Sequence, residues 1–302
     1  MSVPARFLLP QHWPAWVALG ITRVLARLSY PTLLRAGAAL GTLARWVLPV
    51  HRRVVRRNLE LCLPELDAAR REQILRAHFR SLGMTVGETA MTWWQDGAQL
   101  RALSRVQGLE HLDAALAAGR GVILLAAHFT TLEVGARIMA LTRPIHPMYK
   151  PTKNELILHF MMGRRSEQSE GAIASDDVRS VVRVLRSNGI VWYAPDQAYR
   201  RKGAELVPFF GIPVATNTAT SRLARSTGAA VLPYFVERLP DAAGYQVRIG
   251  APLADYPSDD PIADTRRYHE LIEAEVRRIP EQYLWVHRRL KGLGADAPDY
   301  YQ

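Results

Sequence analysis

The sequence predicts an α/β fold: a mostly parallel central sheet flanked by helices, with an N-terminal membrane-associated helical region. Three observations carry this. From residue 108 the chain runs three times from a helical stretch through a glycine-bearing break into a short apolar run. The first passes from Leu109–Ala118 through Gly119–Gly121 to Val122–Ala127. The second passes from Ser175–Arg186 through Asn188-Gly189 to Ile190–Ala194. The third passes from Thr218–Arg225 through Gly228 to Ala230–Val236. Alternation of this kind builds a sheet of parallel strands covered by helices. Ile145–Tyr149 is a further expected strand. Tyr245–Ile249 follows the turn Asp241-Ala-Ala-Gly244 and is expected to pair antiparallel with the third run at the sheet edge. The third observation is the different texture of residues 7–50, which sets 1–50 apart as a membrane-associated segment from an α/β domain at 51–302.

Residues 7–50 are apolar and aromatic, with Trp13, Trp16, Tyr30 and Trp46. Arg23, Arg27, Arg35 and Arg45 interrupt them, and Pro10, Pro14, Pro31 and Pro49 punctuate them. A spanning helix needs about 20 predominantly apolar residues. The best stretch, Trp13–Tyr30, contains two arginines and lacks the cleavage site of a secretory signal. Two readings stand: a single-pass helix whose arginines reach the interface, or a helical pair lying on the bilayer with tryptophans at its boundary. Packing as ordinary helices on the main body is the plain alternative. In His51–Cys62, Arg52 and Arg56 are four apart, as are Arg53 and Arg57, so they make a cationic helix face suited to lipid headgroups. Residues 67–92 follow as one or two amphipathic helices, and Trp93-Trp94 reads as core. Ser175 is the expected cap of the helix after it, with Asp176 and Asp177 favourable to its dipole. The last helix runs from about Ile262 to Arg278 and stops at Pro280.

The 302 residues carry a formal charge of +11, which calls for an anionic partner. Zinc-finger spacing, RNP-type aromatics and a lysine-rich tail are all missing from the sequence, so nucleic acid is disfavoured. Arginine outnumbers lysine, and its planar fork suits phosphate. The single cysteine, Cys62, excludes an internal disulfide framework and a cysteine-based metal cluster.

Chemistry concentrates in Gly121-Val-Ile-Leu-Leu-Ala-Ala-His128-Phe-Thr-Thr-Leu-Glu133. An apolar strand ends in a turn that carries His128, and a helix is expected to start near Thr130 or Thr131. Thr130 and Glu133 have the spacing of a capping box. Residues five apart on one helix stand about 140° apart and do not face each other. A histidine placed before the helix escapes that limit and can meet Glu133, which would fix its tautomer and leave the other ring nitrogen free as a base. The alternative is that Glu133 caps the helix and His128 is a satisfied buried histidine. Ligands of open α/β sheets bind beyond the carboxyl ends of the strands. His128, Lys150 and Pro195-Asp196-Gln197 each follow a strand, and parallel strands would gather them at one edge.

These segments together resemble a known family. They are His51-Arg-Arg with Arg57-Asn-Leu-Glu-Leu-Cys62, Gly108-Leu-Glu-His111, Gly119-Arg-Gly121, His128-Phe-Thr-Thr-Leu-Glu133, Val191-Trp-Tyr-Ala-Pro-Asp-Gln197, Val207-Pro-Phe-Phe-Gly211, Glu281-Gln-Tyr-Leu-Trp285 and His287-Arg-Arg289. The chain resembles the late acyltransferases of lipid A biosynthesis, of lauroyl or myristoyl transferase type, and the wider glycerolipid acyltransferase superfamily with its histidine–four residues–acidic signature. The resemblance implies transfer of a fatty acyl chain from acyl carrier protein to a hydroxyl of a phosphorylated glycolipid, with no metal or organic cofactor. It places the reaction at the cytoplasmic face of a bacterial inner membrane. One departure from the family pattern is Tyr149-Lys150-Pro151, a lysine where arginine is expected; lysine binds phosphate as a point charge.

His128 is then the expected general base and Glu133 its orienting partner. The oxyanion of the tetrahedral intermediate needs donors, for which main-chain amides after His128 and Arg165 are candidates. Asp196 is expected to hold Arg164 or Arg165, to fix the acceptor, or to serve as a turn residue. With Lys150 and Gln197 these form the expected substrate-binding set. The competing classes are the same chemistry on a lysophospholipid or other lipid, slow thioester hydrolysis, and a non-catalytic protein of anionic membranes. A serine hydrolase is disfavoured because the sequence has no Gly-x-Ser-x-Gly elbow.

Overall fold

A computed structural model describes residues 4–152, 154–294 and 297–301. Helices α1 (Trp13–Leu25), α2 (Tyr30–Val47) and α3 (Pro49–Cys62) lead into α4 (Ala68–Trp94) and the short α5 (Ala98–Ala102). The alternating part follows as β1 (Ser104–Gln107), α6 (Leu109–Ala117), β2 (Val122–Leu125), α7 (Leu132–Thr142), β3 (His146–Tyr149), α8 (Glu155–Gln168), β4 (Ile173–Ala174), α9 (Val178–Arg186) and β5 (Ile190–Tyr193). A hairpin of β6 (Ala204–Phe209) and β7 (Ile212–Asn217) precedes α10 (Ala219–Thr227), β8 (Ala230–Arg238), β9 (Tyr245–Ile249) and α11 (Pro261–Arg278).

Seven strands form the main sheet in the order β1-β9-β8-β2-β5-β3-β4. The strands from β8 to β4 are mutually parallel. β9 runs antiparallel to β8, as expected, but it is not the edge: β1 pairs parallel beyond it. Along β2 and the residues after it, Ile123, Leu125 and Ala127 enter one core while Val122, Leu124 and Ala126 enter another. Side chains of period two thus feed two apolar layers, which is why this central strand reads as an unbroken apolar run.

α4 is a single helix of 27 residues, begun by the Asp67 carboxylate accepting from the Arg70 amide at 2.6 Å. α2 crosses it in close contact. A Cβ on Gly41 would lie 1.9 Å from the Phe79 carbonyl oxygen, and one on Gly83 would lie 2.1 Å from that of Gly37. Only glycines let the two backbones approach this far. Tyr30, Leu33 and Leu34 of α2 thereby join the core of the sheet.

The opposite faces stay apolar and open. Trp13, Val17, Ile21 and Val24 of α1 are exposed, as are Leu40, Leu43, Trp46 and Val47 of α2. No single helix among the described residues is long and apolar enough to cross a membrane; α2 and α3 pass such a test only together, across a 95° bend.

Two expected caps differ. α9 is capped by Asp177, whose carboxylate accepts from the Ser180 amide at 3.1 Å, not by Ser175. α7 starts after Thr131, but no capping box forms. The Thr130 hydroxyl shares a 2.7 Å hydrogen bond with Ser81, and the Thr131 hydroxyl donates to the Val236 carbonyl at 2.7 Å. Tertiary partners outcompete the local cap.

Candidate active site

β2 and β5 are neighbours in parallel register, with Leu125 opposite Tyr193. Their main chains stay bonded one step further, the Ala126 amide donating to the Tyr193 carbonyl at 2.7 Å. Three residues past that registered pair lies His128 on one chain and Asp196 on the other. Equal extensions beyond adjacent strands bring the two side chains together. His128 Nδ1 lies 2.6 Å from Asp196 Oδ1, and the His128 amide donates to both carboxylate oxygens at 3.0 and 3.1 Å. Tyr283 donates its hydroxyl to Asp196 Oδ2 at 3.2 Å.

Asp196 is buried. Burial by itself raises its pKa, but the His128 imidazole and the bonds His128 donates outweigh that and lower it to about 2. The carboxylate is therefore ionised and can only accept. An ionised carboxylate facing Nδ1 favours a proton on that nitrogen, which in the neutral, half-buried ring leaves the lone pair to Nε2.

Glu133 has another partner. Its carboxylate accepts from Arg165 Nη2 at 2.8 Å and from Trp93 Nε1 at 3.2 Å. The carboxylate bonded to His128 is Asp196, where the spacing of the signature pointed to Glu133. The reason is geometric: Glu133 lies in the first turn of α7, which carries it toward α8, whereas Asp196 arrives on the neighbouring strand. Asp196 accordingly holds neither Arg164 nor Arg165. Arg164 pairs with Glu167 at 3.0 Å and lies over the rings of Trp94 and Phe160. Gln197 is half-buried beside Asp196. Lys150 is exposed beyond β3, with no bonded partner among the described residues.

A strap from the C-terminal segment completes the site. The Thr130 amide donates to the Gln282 carbonyl at 2.7 Å and the Leu284 amide to the His128 carbonyl at 3.0 Å, so Gln282–Leu284 run against the turn that carries His128. His287 Nε2 accepts from the Ala198 amide at 3.4 Å. Burial first, and then the nearby His128, lower the His287 pKa to about 4. Further along, buried Arg289 donates to the Ala215 carbonyl and the Thr216 hydroxyl. The amides of Phe129, Thr130 and Leu132 are all engaged internally, which removes them as oxyanion donors. The sequence reads Trp93 as core, where its indole in fact donates to Glu133, and assigns Tyr283 and His287 no individual role. The motifs Glu281–Trp285 and His287–Arg289 were the available signal.

Known proteins resemble this chain along nearly its whole length. The family model of bacterial lipid A biosynthesis acyltransferases matches residues 2–292. The chain belongs to this family. It is 38% identical over 286 residues to the lipid A biosynthesis palmitoleoyltransferase of Escherichia coli K12, covering 94% of this chain and 93% of the relative. The lauroyltransferase of the same organism is 34% identical, with 97% and 96% covered. Its myristoyltransferase is 25% identical, with 93% and 88% covered. The family of lipid A biosynthesis acyltransferases makes this chain an enzyme, an acyl-transferring one.

Proposed function

We propose that the protein transfers a fatty acyl chain from acyl carrier protein to a hydroxyl of a phosphorylated lipid A precursor, with His128 as general base and Asp196 as its orienting partner. The observation that carries this is the 2.6 Å contact from His128 Nδ1 to a buried, ionised carboxylate, which leaves Nε2 as a base beyond the strand ends.

The step balances as follows. Nε2 takes the proton of the acceptor hydroxyl as its oxygen bonds to the thioester carbonyl carbon. The tetrahedral oxyanion collapses, the carbon–sulfur bond breaks, and the imidazolium returns the proton to the departing thiolate. Asp196 stabilises the imidazolium in between. Arg165, held by Glu133, offers its remaining N–H groups to the oxyanion or to an acceptor phosphate. Lys150, Arg164 and Gln197 are assigned to the acceptor side of the same edge.

The exposed apolar faces of α1 and α2, and the arginines of α3, support seating residues 1–50 on the cytoplasmic face of a bacterial inner membrane. Arg53 is exposed, while Arg56 and Arg57 are only partly neutralised, by Glu72 at 3.3 Å and Glu60 at 3.6 Å. The relatives' palmitoleoyl, lauroyl and myristoyl names support a long-chain acyl donor.

The test is product mass spectrometry after incubation of wild type and His128→Ala with a mixture of acyl carrier protein thioesters and a lipid A precursor. Wild type should add one acyl group, and the variant should lose at least ~10² in rate with its fold intact. Near-wild-type transfer by the variant would overturn the mechanism. Hydrolysis without transfer would overturn the function.

A further inference from the structure

A cavity of about 760 Å³ lies away from the His128 ring, between α2, α4, the β8–β9 connection and the strap. That is the size of a site for a lipid-sized ligand. Its walls include Leu34 and Met84, and its lining carries charges of both signs, with Arg238 already tied to buried Glu88. Arg35 and Arg80 are exposed on the helical side, and neither has a carboxylate partner among the described residues. Asp241 and Glu281 stand on the other side, also without a cationic partner among the described residues. Asp241 and Ala242 both have left-handed backbones, at φ 53° and 56°. This conformation is costly for alanine, and such strain collects where a loop holds a ligand.

A slot with apolar walls, and with two arginines and two carboxylates unpaired among the described residues, is complementary to a zwitterionic headgroup on an acyl chain. α2 supplies both the Arg35 wall and the exposed Leu40, Leu43 and Trp46, so the source of such a molecule is the bilayer. We propose that this cavity binds a phospholipid with a primary ammonium headgroup, its phosphate at Arg35 and Arg80, its ammonium at Asp241 and Glu281, and one chain between α2 and α4. The cavity floor also touches the catalytic turn. Ser81 is bonded to the Thr130 hydroxyl at 2.7 Å, and the Gln282 carbonyl accepts the Thr130 amide. A bound lipid therefore braces the turn that carries His128.

The full-length protein in nanodiscs is irradiated with phosphatidylethanolamine bearing a photoactivatable acyl chain, and the labelled peptides are mapped. Label is expected on the segments of Leu34 and Met84. Unlabelled phosphatidylethanolamine should compete at least ~5-fold better than phosphatidylglycerol, which lacks the cation, or phosphatidylcholine, whose ammonium cannot donate. The double variants R35Q/R80Q and D241N/E281Q should each cut labelling by about 5-fold. Ala39→Trp, which fills the exposed end without changing charge, should abolish it. His128→Ala should label like wild type, which separates this site from the catalytic assignment. Label elsewhere, equal competition by all three lipids, or displacement by acyl donor or lipid A precursor would overturn the proposal.

Discussion

Two carboxylates flank the turn after β2, and their surroundings differ. Asp196 is buried, anchored by the His128 amide, the His128 ring and the Tyr283 hydroxyl. Glu133 is about one-quarter exposed and faces a guanidinium and an indole. A buried carboxylate bonded to an imidazole fixes a tautomer and supports a proton transfer. A partly exposed carboxylate bonded to arginine fixes a cation that can still turn donors toward a ligand. On the proposed mechanism the two acids of this edge divide the labour: Asp196 serves the base, and Glu133 the anion through Arg165.

The largest effect expected from this contrast is on Asp196→Asn. Loss of the ionised acceptor releases the Nδ1 proton and the wrong tautomer becomes available, so kcat should fall by ~10²–10⁴ with KM little changed. Steady-state kinetics with acyl carrier protein thioester reads this directly.

A second effect concerns acid stability beneath the strap. His78 is fully buried with Nδ1 toward the Glu281 carbonyl, and burial lowers its pKa from 6.5 to about 4. The unfolded chain then binds a proton that the folded chain refuses between those values. Stability is full above pH 6.5 and declines as pH falls toward 4, by up to about 3 kcal/mol from this group. Urea titrations at pH 7 and pH 4.5 should show a smaller difference for His78→Gln than for wild type. Asp196 acts lower on the scale: its depressed value means its stabilising charge is lost only as pH falls toward about 2.

Next comes Glu133→Gln, which keeps the size of the group but weakens its hold on Arg165. A loss of about 10-fold in kcat/KM is expected, carried mainly by KM for the anionic acceptor. An effect as large as that of Asp196→Asn would break the division of labour. The smallest change is expected for Tyr283→Phe, about 3-fold in kcat, because the carboxylate keeps its three contacts with His128.

Much of this was legible in the chain. Glycine breaks and five-to-seven-residue apolar runs located β2, β5 and β8, and their parallel order placed His128 and Asp196 at one edge. The pairing of Asp196 with His128 was within reach by counting equal steps from neighbouring strands, but strand adjacency is a tertiary fact. β1, with its polar Ser104-Arg-Val-Gln107, alternates in exposure and carries too little apolar signal to stand out. β4 is two residues long. The strap's Tyr283, Trp285 and His287 follow no helical or strand period, so only contact with the turn reveals their place. The glycines of α2 and α4 matter through each other, and neither helix alone says that its glycines meet a partner.

The central claim is that Asp196 sets the tautomer of His128, and nitrogen NMR of the histidine rings tests it most directly. Protein labelled at the imidazole nitrogens, with residue 128 assigned through His128→Gln, is observed at neutral pH. The account predicts a protonated Nδ1 and an unprotonated Nε2 in wild type and in Glu133→Gln, with this pattern lost in Asp196→Asn. The pattern surviving Asp196→Asn but vanishing in Glu133→Gln would contradict it.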